Sequence, residues 1–428
     1  MNGILKPESD GLRPPKSRTA MKATSYNVCL FNSADPRGLK VGGIETYTRD
    51  YIFYHPSDMN LLFIGADEIG DLKIGELNDV EFRGRNFKFL PLYYLANSVN
   101  VYPNRISSSE TFHFASQLVK NFRKLRKILR EGDYTAEIRR VEYAPILKAM
   151  GVPFIQMVHV WGAPNKPMSS LMGKYWYLRS AAELLAAAFC RKFYSVNSDM
   201  TTMYKKSFHW YANKFDTLTT WANTSIFNCK PYQFRDDKIR IVYAGRMDNF
   251  KRPDIMFKVM AAVDRLSGGR LEFNYIGDGN PTTIPEFAAI KDKSVLHGRH
   301  DSVKLAEIMS QMHLGVLTSE FEGMPRVVLE VLATGRPMVS LHLPQLECVI
   351  RDGVNGWLIP RGDGAVELQA ARLVEAYQAM RAGRMTPEGV ATSVAPFRPQ
   401  LLLDKIFADH RQLHGLPTLS STAARCLG

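Results

Sequence analysis

Two glutamates eight positions apart, Glu322 and Glu330, carry the clearest chemistry in the sequence. The segment 319–337 around them predicts the end of a buried strand, a tight loop and a helix. Pro325 suits the start of that helix, because its missing N–H is one that the first turn leaves unpaired. An anion over the loop would meet free backbone N–H groups and the positive end of the helix dipole. Glu330 would then accept two hydroxyls of a bound ribose, so the pattern indicates an anion-binding and sugar-binding turn.

Two cations, Arg246 and Lys251, flank an earlier loop. They lie between a predicted strand, residues 239–243, and a helix that begins at Pro253. A planar guanidinium binds oxygens in pairs and a lysine acts as a point charge, so together they can neutralise a diphosphate. Two solvated surface charges are the alternative interpretation of these residues.

Both motifs resemble those of a known family. The pattern Glu-Gly-Met-Pro-x-x-x-x-Glu, followed by a helix of small residues and Gly-x-Pro, is similar to the paired-glutamate motif of the retaining glycosyltransferases of family 4. The spacing Gly-Arg-x-x-x-x-Lys over residues 245–251 resembles the pyrophosphate site of that family. The resemblance covers roughly residues 26–412. It implies an α/β GT-B fold, in which two Rossmann-like doubly wound parallel-sheet domains face a central cleft.

The resemblance also implies roles for individual residues. His159, predicted at the end of a strand, corresponds to a histidine that reaches the donor sugar, and the loop that includes Gly42 and Gly43 is similar to one that opens many of these enzymes. The implied catalytic residues are Glu322, Arg246, Lys251 and His159. The implied donor-binding residues are Gly42, Gly43, Gly277, Arg299, Gly323, Met324 and Glu330. The chain departs from the family at Asn223, where an aspartate is usual, and at residues 342–345, which replace a glycine pair.

The implied reaction is transfer of a hexose from a nucleoside-diphosphate donor to a glycan or polyprenyl-linked acceptor, with retention of configuration, in envelope or exopolysaccharide biosynthesis. The sequence contains no Asp-x-Asp, so we expect basic side chains to take the place of a metal, and we expect no cofactor besides the donor. Glu322 and His159 are expected to position the donor sugar, with no protein carboxylate as an obligatory nucleophile. The alternatives are a non-catalytic GT-B scaffold or binding protein, a phosphorylase and a sugar-nucleotide epimerase.

Short apolar strand candidates alternate with helical stretches along the chain. This alternation indicates parallel sheets with helices on both faces, and these elements would position the residues named above. Strands are predicted over residues 28–31, 61–64, 87–90, 154–160, 193–196, 239–243, 271–276, 314–318 and 338–341. Helices are predicted over residues 112–130, 253–266, 303–312, 365–382 and 401–410.

The predicted organisation is a disordered leader (1–24, with Met21 as an alternative start), an acceptor-side domain (25–227), a linker (228–237), a nucleotide-sugar domain (238–415) and a tail (416–428). In GT-B proteins a terminal helix crosses back to the first domain, and residues 401–410 are the candidate. A mixed aromatic, methionine and lysine segment, residues 166–179, suits the mouth of an acceptor site.

The 428 residues carry a formal charge of +13, which favours anionic partners. We find no nucleic-acid-binding motif. The helix predicted over 112–130 has a basic face that fits either anionic lipid or solvent. That face consists of Lys120, Arg123, Lys124, Arg126, Lys127 and Arg130. Five dispersed cysteines are typical of reduced thiols, so the expected location is the cytoplasm, with peripheral association at the inner face of the cytoplasmic membrane.

Overall fold

The computed structural model describes residues 25–40, 42–96, 109–159 and 176–417. The predicted leader, nearly all of the predicted tail and most of the predicted acceptor-mouth segment lie outside the described residues.

Among the described residues, the first sheet has eight strands in the order β3-β4-β2-β1-β5-β6-β7-β8. All neighbours are parallel except β3 and β4, which form an antiparallel pair. The strands are β1 (Tyr26–Phe31), β2 (Met59–Asp67), β3 (Asn78–Phe82), β4 (Arg85–Tyr94), β5 (Tyr134–Ile138), β6 (Phe154–Val158), β7 (Lys192–Ser195) and β8 (Phe215–Thr217). The sequence did not predict β3, β5 or β8, and β6 ends two residues before the predicted strand does.

In the described part of this domain, six helices accompany the sheet: α1 (Gly43–Tyr54), α2 (Glu110–Lys120), α3 (Phe122–Glu131), α4 (Ala144–Met150), α5 (Trp176–Phe189) and α6 (Ser198–Ser207). The single helix predicted over 112–130 is wrong, because Asn121 divides it. The Asn121 Nδ2 donates to the Gln117 carbonyl at 2.9 Å, and such side-chain bonds compete with helical backbone bonds. Leu118 and Leu125 are nevertheless both buried on the sheet side.

The second sheet is entirely parallel, with the order β11-β10-β9-β12-β13-β14. Its strands are β9 (Ile239–Ala244), β10 (Leu271–Ile276), β11 (Ser294–Gly298), β12 (Leu314–Leu317), β13 (Met338–Leu341) and β14 (Gly356–Ile359). Its helices are α7 (Pro253–Leu266), α8 (Ser302–Ser310), α9 (Arg326–Ala333), α10 (Ala365–Arg381) and α11 (Pro387–Thr392). Counted from its own first strand, the order is 3-2-1-4-5-6, that of doubly wound nucleotide-binding sheets.

Each sheet has its own buried core, and the division between the cores falls at Trp221 and Ala222. The last helix, α12 (Pro399–Leu413), follows the second sheet but buries Leu403 and Phe407 in the core of the first. His410, also on α12, lies 2.8 Å from the Thr135 hydroxyl of β5. The structure thus confirms the predicted fold, two doubly wound α/β domains, and α12 joins them.

Candidate functional site

The predicted site lies where the strand order of the second sheet reverses. β9 and β12 are neighbours, and ligands of open α/β sheets bind outside the carboxyl ends of such a pair. The loop after β9 is fixed by two tyrosines: the Tyr243 hydroxyl donates to the Arg246 carbonyl at 2.9 Å and the Tyr275 hydroxyl to the Gly245 carbonyl at 3.0 Å. Buried side chains of the sheet therefore hold the backbone that carries the predicted cations.

Lys251 and Glu322 meet at this position. Glu322 Oε1 accepts hydrogen bonds from Lys251 Nζ and from Ser319 Oγ, the latter at 2.8 Å. The two charged side chains are only 16% and 13% exposed, so their attraction is screened less than that of a surface pair. A diphosphate that entered here would meet a lysine whose ammonium group is already positioned.

Arg246 lies on the same loop but is half-exposed, with its Nη2 3.0 Å from the Asp248 carboxylate. Gly277 packs beneath this loop, since a Cβ there would lie 2.3 Å from the Gly245 carbonyl oxygen. Arg299 extends toward the first domain, where its Nη2 donates to the Leu39 carbonyl at 3.4 Å. A groove of about 940 Å³ opens beside Arg246 and Asp248.

Glu330 is buried inside α9. Its Oε1 accepts from the Arg326 Nε at 3.0 Å, and Arg326 Nη2 donates to Asp50 of α1 at 2.7 Å. Burial raises the pKa of Glu330, and the Arg326 charge opposes that rise. Arg326 therefore links the second glutamate of the motif to the first domain.

Asp50 lies at the centre of this interdomain junction and is 1% exposed. Besides Arg326, it accepts from the Trp221 Nε1 at 2.8 Å and from the Asn223 Nδ2 at 2.9 Å. The amide that stands where the resembling family has an aspartate thus donates to a carboxylate supplied by α1. Neither Asp50 nor Arg326 was predicted from the sequence, because no motif marks an acid within α1 and Arg326 occupies an open position of the glutamate motif.

His159 follows β6 on the first domain. Its Nε2 is fully buried and no described residue hydrogen-bonds it, although the side chain as a whole keeps some exposure. Burial first, and then the charges of Arg139, Arg140 and Arg326, lower the pKa of His159 to about 3. The ring is therefore neutral at physiological pH.

The motif loop packs closely against the backbone of His159. A Cβ at Gly323 would lie 2.4 Å from the His159 carbonyl oxygen, so only glycine permits this approach. Met324 packs against the hydrophobic cores of both domains. The predicted residues Gly323 and Met324 therefore lie at the contact between the domains.

Gly42 and Gly43 begin α1. The Gly42 carbonyl accepts both the N–H and the hydroxyl of Thr46, at 2.9 and 2.8 Å, which closes the first helical turn. A Cβ at Gly43 would meet no atom within 4 Å, so this position borders open space. The loop before α1 is fixed by Arg49, whose Nη2 donates to the Gly38 and Lys40 carbonyls.

The arrangement brings together a positioned lysine, the N-terminal end of a helix and two carboxylates at one sheet edge. Such a site can bind a diphosphate and stabilise charge that develops on a leaving phosphate oxygen. No group of three potential metal ligands of the His, Cys, Asp or Glu type occurs within the described ranges. Across the same ranges, no helix is long and apolar enough to span a bilayer.

The second domain matches a known protein family. Residues 238–378 match the family described as "Glycosyl transferases group 1". The second domain is a group 1 glycosyltransferase domain. A curated relative, an uncharacterized 41.2 kDa protein in the cps region of Klebsiella pneumoniae, is 26% identical over 134 residues, which is 31% of this chain. The match spans 36% of that relative's length.

Solved structures extend the likeness to the first domain and the group 1 domain together. Sucrose-phosphate synthase from Thermosynechococcus elongatus superposes with a TM-score of 0.70 at 15% identity, over 91% of this chain and 99% of that one. HepE of Anabaena, solved with UDP and glucose, superposes with a TM-score of 0.62 at 14% identity, over 91% of this chain and 100% of that one. These likenesses show the two-domain fold of glycosyltransferases.

Proposed function

We propose that the protein is a retaining hexosyltransferase that moves a sugar from a nucleoside-diphosphate donor to a glycan or lipid-linked acceptor. The observation that carries the proposal is the meeting of Lys251 and Glu322 at the reversal point of a group 1 domain. In that place a lysine can hold a diphosphate while a carboxylate faces the sugar. HepE, which shares the fold, was solved with UDP and glucose.

In the proposed reaction, the bond between the anomeric carbon and the phosphate oxygen breaks while the acceptor oxygen bonds to the same face of the sugar. The acceptor proton passes to the leaving phosphate. Lys251, Arg246 and the backbone amides before α9 stabilise the negative charge of that phosphate without moving, which lowers the barrier electrostatically. We propose that these basic groups perform this task without a metal.

The donor sugar is positioned from both domains in this proposal. Glu322 accepts sugar hydroxyls from one side. His159, neutral because its pKa is lowered to about 3, hydrogen-bonds from the other side and does not titrate at the working pH. Arg299 and Gly277 lie at the neighbouring strand ends, where the nucleoside would extend, and Glu330 would bind its ribose.

The acceptor is proposed to be a membrane-located glycan or polyprenyl-linked sugar in envelope or exopolysaccharide assembly. Two observations support this class. The relative from Klebsiella pneumoniae is named for its place in a cps region. All six residues of the predicted basic face on α2 and α3 are exposed, so that the face is available to anionic lipid.

A donor screen tests the reaction. The purified protein would be incubated with UDP-, GDP-, ADP- and dTDP-hexoses and an extract of lipid-linked acceptors in the presence of EDTA, and nucleoside-diphosphate release and sugar transfer would be measured. We expect one donor to react, with the anomeric configuration of the product, read by proton NMR, equal to that of the donor. Inverted product, or phosphate-dependent turnover without a sugar nucleotide, would contradict the proposal.

A further inference from the structure

Asn197 of the first domain makes two hydrogen bonds with opposite ends of its amide. It is the N-cap of α6, where its Oδ1 accepts from the Met200 N–H at 2.8 Å. Its Nδ2 donates to the Gly323 carbonyl of the second domain at 2.5 Å. Because a backbone N–H only donates and a carbonyl only accepts, these partners fix which end of the amide faces which domain.

The preceding carbonyl of the motif loop is held in the same way. Gln345 Nε2 donates to the Glu322 carbonyl at 2.8 Å. Gln345 belongs to the segment 342–345, which replaces a glycine pair of the resembling family and here forms a short 3-10 turn, Pro344–Leu346. Two successive carbonyls are thus each fixed by a side-chain amide, one from each domain.

Holding these carbonyls also orients the N–H groups that follow them. The described peptide bonds are trans, and in a planar trans peptide the carbonyl and the N–H point in opposite directions. The N–H groups of Gly323 and Met324 therefore point away from Gln345 and Asn197. In the described part of the chain, no acceptor takes either N–H. Successive N–H groups that point the same way can bind an anion, and Lys251 pairs with the side chain of Glu322, which directly precedes them.

We propose that Asn197 is a positioning residue: docked across the domain interface, it holds the Gly323 carbonyl and aims the Met324 N–H at the leaving phosphate. The inference rests on the proposed function of the site. The donor-binding loop then has its full set of oriented N–H groups only when the first domain is seated on it. The close approach of Gly323 to the His159 carbonyl belongs to the same contact.

Conservative substitutions separate this role from helix capping. Asn197→Asp and Asn197→Ser keep an N-cap oxygen but lack the NH2 donor, whereas Asn197→Ala loses both. We expect the Asp and Ser variants to keep the wild-type melting temperature within a few degrees, and Asn197→Ala to melt lower. UDP, the probe that we would titrate first by calorimetry, should bind the Asp and Ser variants about threefold to tenfold more weakly than wild type, the effect of one lost hydrogen bond.

Gln345→Glu provides the matched variant on the second domain. It removes the amide that holds the Glu322 carbonyl while leaving the Asn197–Gly323 hydrogen bond in place, so UDP should bind more weakly. Its radius of gyration in small-angle X-ray scattering should equal that of wild type. Asn197→Asp should instead give a larger radius without nucleotide, because the interdomain bond is lost.

The outcomes distinguish failure of the proposed nucleotide donor from failure of the proposed role of Asn197. If wild type binds none of UDP, GDP, ADP and dTDP, the proposed donor class fails, and the scattering comparison still tests the interdomain contact. Wild-type nucleotide affinity together with a wild-type radius for Asn197→Asp would overturn the inference. A loss of melting temperature in Asn197→Asp as large as in Asn197→Ala would also overturn it, because Asn197 would then act only in stability.

Discussion

At the scale of single residues, the pairing of Lys251 with Glu322 is the feature on which the proposed transfer depends. Lys251→Ala removes a cation that the site holds in a largely water-excluded position. We expect kcat/KM for sugar transfer to fall by about 10²–10³, as for the loss of one preorganised charge-stabilising donor. Glu322→Gln should lower it as well, because the amide is a poorer acceptor of sugar hydroxyls. Steady-state kinetics with the reacting donor measures both effects.

The control is Lys258→Ala, which removes an exposed lysine of α7 that pairs with Glu286 at 3.4 Å. It should leave kcat/KM unchanged. Near-normal turnover in both Lys251→Ala and Glu322→Gln would contradict the assigned roles.

The lowered pKa of His159 makes folding sensitive to acid. In the folded protein its pKa is about 3, against 6.5 for an ordinary histidine. Between these values the unfolded chain binds a proton that the folded chain does not, so stability falls as the pH drops from about 6.5 toward 3. At pH 5 this single histidine should lower the free energy of unfolding by about 2 kcal/mol.

The measurement is the melting temperature against pH for wild type, His159→Gln and, as a control, His209→Gln at an exposed position. Below about pH 6.5, His159→Gln should have the shallower slope and His209→Gln the wild-type slope. Identical slopes for all three proteins would mean that His159 is protonated in the folded state.

The residues of the candidate site that share a spaced motif were predictable from the sequence, whereas those that meet only in space were not. Glu322 and Glu330 lie on one turn and helix, so their spacing alone indicated a joint role. Asp50 comes from another domain, and Arg326 occupies a position within the motif that the pattern leaves open. Only the packing of α1 against α9 brings these two side chains together.

At the scale of elements, the Asp50 junction ties α1 and α9 to the interdomain segment. Asp50→Ala leaves Arg326 without its interdomain partner and deprives the indole of Trp221 of its acceptor. We expect a loss of about 3–5 kcal/mol in unfolding free energy, the effect of breaking a buried pair. Chemical denaturation followed by Trp fluorescence measures it.

Asp79→Ala is the comparison, because Asp79 forms an exposed pair with Lys88 at 3.4 Å. Asp79→Ala should lower the free energy of unfolding by less than about 1 kcal/mol. Equal effects of the two substitutions would show that the junction contributes no more than a surface pair.

The buried polar residues of β5 explain why the sequence did not predict this strand. β5 carries Thr135 and Glu137 at buried positions, which breaks the apolar run expected of a central parallel strand. The structure compensates by pairing Glu137 with the buried Arg139 at 3.0 Å and by placing His410 of α12 beside Thr135. Tertiary partners distant in sequence therefore permit a strand that its own composition does not reveal.

At the scale of the whole molecule, the formal charge of +13 and the exposed basic face of α2 and α3 predict binding to anionic lipid. The protein should sediment with vesicles containing phosphatidylglycerol at low salt and be released at high salt, because screening weakens the attraction. The double variant Arg123→Glu with Lys127→Glu should bind less at every salt concentration.

A variant with the same change in net charge, Lys258→Glu with Lys291→Glu on the second domain, controls for the overall charge. It should keep more of the vesicle binding than the α3 variant does. Equal loss in both variants would show that net charge alone, and not this face, governs association.

The central claim, a nucleoside-diphosphate site on the second domain, is tested most directly by thermal stabilisation of the full chain with UDP, GDP, ADP and dTDP in the absence of added metal. A diphosphate present at about 100 times its dissociation constant should stabilise the protein by about 2.7 kcal/mol. We predict that one of the four raises the melting temperature and that Lys251→Ala loses most of this shift. No shift with any of them, or the full shift in Lys251→Ala, would contradict the account.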